Sequence, residues 1–331
     1  MIESGPNPES IALITDPTSL LIFFSGFVAL IFLASKSRVF APLFRYVPPF
    51  VWIYLLPVFG TTWGLTPSES PLYDWCTVTL LPAALILLTV STDLKAIARL
   101  GPLALAMVFA GTVGIVIGGP IALALFQSQL HPEMWKGLGA LAGSWIGGGS
   151  NMLAIKEGLG CPNEIFSPVL IVDTVVGYGW LSIILAFSAY QSRIDKLNQA
   201  HREVLDDLNE RLAAYKKANS RPMTLPSFSM ILGLGLAGGW CCILLGEGIS
   251  SAFTGGVQAA DSIMSPYTWG VLVVLVVGIG LSFTPARRLE SEGASVVGYG
   301  GLYILVATMG AGGAFRALQA APARGFVGIV G

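Results

Sequence analysis

Apolar residues in this chain arrive in long, nearly unbroken runs separated by short charged clusters. Nine runs can be marked: Thr18 to Leu33, Pro48 to Thr62, Trp75 to Thr92, Pro102 to Leu125, Gly137 to Ile155, Ile165 to Tyr190, Pro226 to Phe253, Pro266 to Phe283 and Ala294 to Ala314. Gly325 to Gly331 opens another. Crossing ~30 Å of hydrocarbon takes about 20 mostly apolar residues, so the pattern predicts an all-α fold, a polytopic transmembrane helical bundle. The second run is short and the fifth is broken by glycine, and neither is a secure full span.

One polar stretch interrupts the pattern. Gln191 to Pro222 holds twelve of the thirty-seven charged residues, with Ile194, Leu197, Val204, Leu205, Leu208 and Leu212 at helical spacing. It reads as a soluble helical insert, either a solvated linker or a stripe that packs on a partner or on the membrane surface. The chain then divides into a first transmembrane repeat (1–190), a charged helical insert (191–225) and a second transmembrane repeat (226–331).

The repeats rest on an internal match. Leu94 to Pro102, "LKAIARLGP", follows the third run, and Phe315 to Pro322, "FRALQAAP", follows the ninth. Chance similarity in an apolar sequence is the rival reading, but many transporters are built from two such halves. A glycine motif begins at Gly143, 41 residues after Pro102, so its counterpart is expected some 40 residues after Pro322. The second repeat is accordingly expected to be truncated at Gly331.

Charge sets the expected orientation. The first sixteen residues carry Glu3, Glu9 and Asp16 and no Lys or Arg, which argues for a retained first helix over a signal peptide. With this end outside, Lys36, Arg38, Arg45, Lys95 and Arg99 fall inside. Counting every later run as a crossing would put the insert, Arg287 and Arg288 outside, against the positive-inside tendency. Removing one crossing between Gly137 and Tyr190 restores it and makes the repeats antiparallel. Irregular membrane structure is therefore expected in that stretch.

Composition adds little to the class and excludes others. Mean hydropathy is +0.73 and 11% of residues are charged. A net charge of −1 without a basic stripe argues against nucleic acid as a partner. Cys76, Cys161, Cys241 and Cys242 lack metal or disulfide spacing and read as small buried residues. His131 and His201 stand alone. Gly233, Gly235 and Gly238 fit G-x-G-x-x-G, but inside an apolar helix and with no preceding strand. No nucleophile or metal constellation supports an intramembrane enzyme.

Candidate chemistry concentrates in "GSWIGGGSNMLAI", Gly143 to Ile155. Each glycine weakens a helix interior by about 1 kcal/mol relative to alanine, so Gly147, Gly148 and Gly149 predict an opened backbone between Ser144 and Asn151. Opened backbone at membrane depth needs protein or a water-filled cavity around it. The Ser144 and Ser150 hydroxyls, the Asn151 amide and the freed main chain would then converge, as in the substrate and ion sites of secondary transporters. Close helix packing is the competing explanation. Asp173, in "VLIVDTVVGYGW", lies mid-run with no basic residue in the same run. A carboxylate there costs on the order of 2.5 to 3.5 kcal/mol, so Asp173 reads as a proton carrier, a cation ligand or a partner of the opened backbone. A structural carboxyl joining two helices is the alternative. Glu247 lies near a run's end and reads as interfacial.

"ILLTVSTDLKAIARLGP", "AGSWIGGGSNMLAI" and "VDTVV" together resemble the YjcL-like family of uncharacterised integral membrane proteins of bacteria and plant plastids. The matching positions are Gly143, Ser144, Trp145, Ile146, Gly147, Gly148 and Asn151, with Asp173 at the family's acidic position. A second N-I-G-G segment of that family has no match here, and the insert is longer than is typical. The resemblance implies a bacterial inner (cell) membrane ahead of a plastid one, and by analogy broken-helix secondary transporters of the antiporter and bile-acid-symporter kind. The resulting expectation is a secondary transporter of a small polar or carboxylated solute. Its expected site is Ser144, Gly147, Gly148, Gly149, Ser150, Asn151 and Asp173, coupled to H⁺ or Na⁺ and without a cofactor. Expected partners are the lipid bilayer, the solute, and a second copy of the chain or a membrane complex. A structural or assembly subunit without transport activity is the other reading.

Overall fold

The computed structural model describes residues 12–94, 102–188, 221–253 and 265–312, and the regular elements among them are all helical. In chain order they are α1 (Pro17–Lys36), α2 (Ala41–Tyr46), α3 (Pro49–Thr62), α4 (Pro71–Val90), α5 (Pro102–Phe126), α6 (Met134–Gly147), α7 (Gly149–Gly158) and α8 (Asn163–Ser188). Then come α9 (Leu225–Gly233), a π-helical turn (Leu234–Gly238), α10 (Gly239–Phe253), α11 (Pro266–Ser282), a 3₁₀ segment (Pro285–Glu292) and α12 (Ala294–Gly312). The insert lies outside the described residues except for 221–225, as do Phe315 to Pro322 and most of Leu94 to Pro102.

Among the described residues, five helical stretches are long and apolar enough to cross a membrane: Pro17–Lys36, Pro71–Val90, Leu105–Phe126, Leu225–Ala252 and Ala294–Gly312. A sixth is obtained by counting α11 with its 3₁₀ segment, bent by 92°. At 1.5 Å per residue, the 26 residues of α8 also reach ~39 Å. Local chemistry fixes where several helices begin. Pro17, Pro49, Pro71, Pro226 and Pro266 sit in first turns, where the missing N–H costs nothing. Asp16 caps α1 by accepting from Ser19 N at 2.8 Å, and that N–H holds its carboxyl below the usual range. Thr224 and Ser227 form a reciprocal capping box on α9.

Two bodies are distinguishable. In the first, α1, α3, α4, α9 to α12 and the turns between them pack through small residues. A Cβ on Gly246 of α10 would lie 2.1 Å from Gly270 N of α11, and one on Gly310 of α12 would lie 2.1 Å from Tyr54 O of α3. Helices that gain no hydrophobic drive from lipid associate by such backbone approach. The second body is α5 to α8.

Contacts sort the loops into two ends. Leu13 N bonds Gly64 O at 2.8 Å, Thr61 Oγ1 donates to Ala311 O at 2.9 Å, and Thr268 Oγ1 donates to Gly158 O, all at what we call the Gly160 end. At the opposite, Arg287 end, Arg287 pairs with Asp93 and Arg221 N bonds Ser291 O at 2.9 Å. Helix directions follow. α3 runs parallel to α12 (Phe50 against Tyr303, Tyr54 against Gly310), and α11 runs parallel to α4 (Tyr267 Oη to Thr77 O at 2.9 Å, Gly278 against Thr89). α4 and α12 are antiparallel, since Gly298 faces Leu87 while Gly301 faces Leu80. Hence α3 and α11 are antiparallel, and both open on the same pattern, Pro49-Phe50-Val51-Trp52 and Pro266-Tyr267-Thr268-Trp269. That pattern went unnoticed in the sequence.

The π-helical turn explains the apparent nucleotide motif. Gly235 and Gly238 face Leu87 and Ile86 of α4, and a Cβ on Gly239 would lie 2.9 Å from Ala83 N. Gly235, Gly238 and Gly239 pack against α4, while Gly233 has open space where a Cβ would be.

Candidate functional site

The glycine triplet ends one helix and starts another. Gly148 has φ +95° and ψ −178°, a conformation essentially restricted to glycine. α6 stops at Gly147 and α7 starts at Gly149, so regular helical bonding is interrupted within the expected stretch. The three glycines are required for different reasons. Gly148 supplies the backbone angle and has open space around its Cα. A Cβ on Gly147 would lie 1.7 Å from Asn151 Nδ2, and one on Gly149 would lie 3.3 Å from the Phe50 ring.

The break reverses the chain. A Cβ on Gly139 would meet Leu159, one on Gly143 would meet Ile155 and Asn151, and one on Gly147 would meet Asn151. The two arms therefore lie antiparallel, with Gly148 at the tip. Lys136 Nζ reaches Gly160 O at 3.4 Å, so the hairpin starts and finishes at the Gly160 end. Its arms, 14 and 10 residues long, rise only ~21 and ~15 Å, short of ~30 Å of hydrocarbon. The fifth apolar run is thus a helical hairpin too short in either arm to cross a membrane, and α8 follows it.

Asp173 lies ten residues into α8, ~15 Å from its start. Its Oδ2 accepts from Ser144 Oγ at 2.9 Å, and the Trp145 side chain also approaches the carboxylate. Ser144 belongs to the last turn of α6, where its carbonyl accepts from Gly148 N at 2.7 Å. One residue therefore joins the intramembrane carboxylate to the break. Ser150 and Asn151 follow the break on α7, and neither side chain bonds Asp173 among the described residues. Asn151 is exposed and folds back over Gly147. Of the seven residues expected to converge, a side-chain hydrogen bond joins one pair, Ser144 and Asp173, beside the Gly147–Gly149 backbone.

Other polar groups at the hairpin went unremarked in the sequence. Lys156 is buried on α7, paired with Glu157 Oε1 at 2.6 Å and lying 5.8 Å from the Phe166 ring centroid. The Tyr54 and Ser167 hydroxyls, both buried, share a hydrogen bond at 2.7 Å between α3 and α8. Outside the apolar region, the Lys136 ammonium at 2.7 Å holds the Glu133 carboxyl below its ordinary range. No group of three or more His, Cys, Asp or Glu suited to a metal occurs among the described residues.

Comparison with known proteins agrees with this picture at the level of class. The uncharacterized membrane protein YjcL of Bacillus subtilis (strain 168) is 30% identical over 113 residues, covering 34% of this chain and 28% of the relative. The aligned part therefore spans little more than a quarter of that relative's length. No solved structure matches the chain. Residues 21–330 match a family described as a protein of unknown function, and the chain belongs to that family, DUF819.

Proposed function

We propose that the protein is a secondary active transporter of a small polar or carboxylated solute, coupled to H⁺ or Na⁺, in which the α5–α8 body moves against the other. The observation that carries this reading is the break at Gly148, tied through Ser144 to Asp173, ten residues into the apolar helix α8. An ionised side chain at such depth is costly and marks solute or ion pathways. A helix N-terminus at Gly149 offers N–H groups and positive partial charge to an anionic group. Gly147, Gly148, Gly149, Ser150 and Asn151 would bind solute, with Ser144 and Asp173 handling the coupling ion.

The P-[F/Y]-x-W openings of antiparallel α3 and α11, with their parallel partners α12 and α4, favour an inverted-repeat construction. α3 with α4 would correspond to α11 with α12. The test is counterflow of candidate solutes into proteoliposomes carrying the complete protein. Saturable counterflow lost in Asp173→Asn is expected, and wild-type rates with the same pH and Na⁺ dependence in Asp173→Asn would reduce Asp173 to a structural carboxyl.

A further inference from the structure

Polar contacts between the two bodies gather toward one end. Thr268 Oγ1, in the first turn of α11, donates to the carbonyl of Gly158, the last residue of α7. Its hydroxyl also lies 2.8 Å from Ser265 Oγ, so the donor is held by the cap of α11. Thr268 itself is buried. Four residues into α8, Ser167 meets Tyr54 of α3. Asn163, which opens α8, sits against Gly312 of α12, where a Cβ would come within 2.9 Å of its amide nitrogen. Glu157 and Lys156, with side chains 15% and 7% exposed, occupy the same end of α7 and leave little room for water. Near the tip, by contrast, Gly149 makes an apolar approach to Phe50.

We infer that the α7–α8 turn, through Thr268 to the Gly158 carbonyl and Tyr54 to Ser167, forms a latch that holds the two bodies together at the Gly160 end. This rests on the reading that the bodies move relative to one another. A latch of this kind has to open once per cycle, and neutral hydroxyl bonds suit that task. Each is a modest net contribution, enough to bias two states without trapping one. The class of device is an outer or inner gate at the Gly160 end, distinct from the Asp173 site and controlling access to it.

A cross-link across the latch tests it. The Cβ position of Gly158 lies 3.8 Å from Thr268 Cγ2, so Gly158→Cys with Thr268→Cys places two thiols within bonding reach. The pair is made in complete protein whose four native cysteines are replaced, with Asn151→Cys as reporter, reconstituted in vesicles. Modification of the reporter thiol by an impermeant thiol reagent is then read by peptide mass spectrometry. Reagent applied at the Gly160 side is expected to label the reduced protein and to label the cross-linked protein at least tenfold less, with recovery on reduction. Thr268→Val should increase labelling from that side severalfold. Equal labelling of reduced and cross-linked protein from the Gly160 side would overturn the latch. Solute uptake by vesicles carrying the same Gly158→Cys and Thr268→Cys pair with Asn151 left intact separates the two readings. Uptake lost on oxidation and regained on reduction supports the latch, and full uptake by completely cross-linked protein overturns it. Absence of uptake even in reduced protein counts against transport alone and leaves the labelling comparison to decide the latch.

Discussion

Replacing Gly148 by alanine isolates the backbone term in the hairpin tip. Gly148 sits at φ +95° and ψ −178° with nothing within 4 Å of where a Cβ would be, so the substitution meets no neighbour. What remains is conformational strain, on the order of 1 to 3 kcal/mol for a residue with a side chain in that region. Alanine is also a better helix former than glycine by about 1 kcal/mol, which adds to the drive to run α6 straight into α7. Straightening would draw Ser144 and Asp173 apart and remove Asn151 from Gly147. We expect Gly148→Ala to lower stability in reversible unfolding from mixed micelles by about 1 to 3 kcal/mol. Gly147→Ala provides the contrast, because its cost is steric. A Cβ 1.7 Å from Asn151 Nδ2 must displace that amide, so adding Asn151→Ala should recover most of the loss, whereas Asn151→Ala should recover none of the loss in Gly148→Ala. Unchanged stability in Gly148→Ala, or equal rescue of both glycine variants, would refute the division between strain and clash.

Gly246→Ala forces a methyl to within 2.1 Å of Gly270 N, and a destabilisation of about 1 to 3 kcal/mol is expected in the same unfolding assay. Arg287→Ala removes an ion pair whose side chains are 27% and 28% exposed, and the expected loss is at most ~1 kcal/mol, shrinking as salt is raised. Asp16 is held below the usual carboxylate range by Ser19 N–H, so its contribution to the start of α1 is complete above the ordinary carboxylate pKa and disappears as pH falls through its lowered folded value. Hydrogen exchange at Ser19 should accelerate over that acid window in the wild type and be fast at all pH in Asp16→Ala.

The break in the fifth run was legible because three adjacent glycines oppose a helix whatever surrounds them. Its outcome, reversal, was harder to read: an interrupted span and a hairpin share the same composition, and only arm length against bilayer thickness separates them. The charge census pointed to irregular structure in the same stretch, because Lys and Arg report sides without reporting structure. Pairing of Asp173 with the break followed from the cost of a lone carboxylate. The choice of Ser144 over Ser150 and Asn151 did not, since side-chain direction depends on the turn at Gly148. Lys156 was passed over because a Lys-Glu pair at the end of an apolar run looks like the run's border. The P-[F/Y]-x-W openings escaped notice because four residues carry little information inside a low-complexity apolar sequence, and their kinship becomes visible only when α3 and α11 are seen to take equivalent partners in opposite directions.

The π-helical turn between α9 and α10 has a consequence for tolerated changes of length. Such a turn holds one residue more than the α-helical turn it replaces, and each residue added to a helix rotates everything beyond it by ~100°. Gly246 meets Gly270 only in the present setting. Deleting Ala237 would convert Leu234–Gly238 to ordinary helix, swing Gly246 away from α11 and bring bulkier neighbours into the crossing. The turn thus acts as a phase adjuster: the α9 half keeps its own rotational setting against α12 and the 3₁₀ segment while the α10 half is indexed to α11. Chains that lack this one residue should compensate elsewhere in the helix, by a second one-residue change before Gly246 or by small side chains moved one position along.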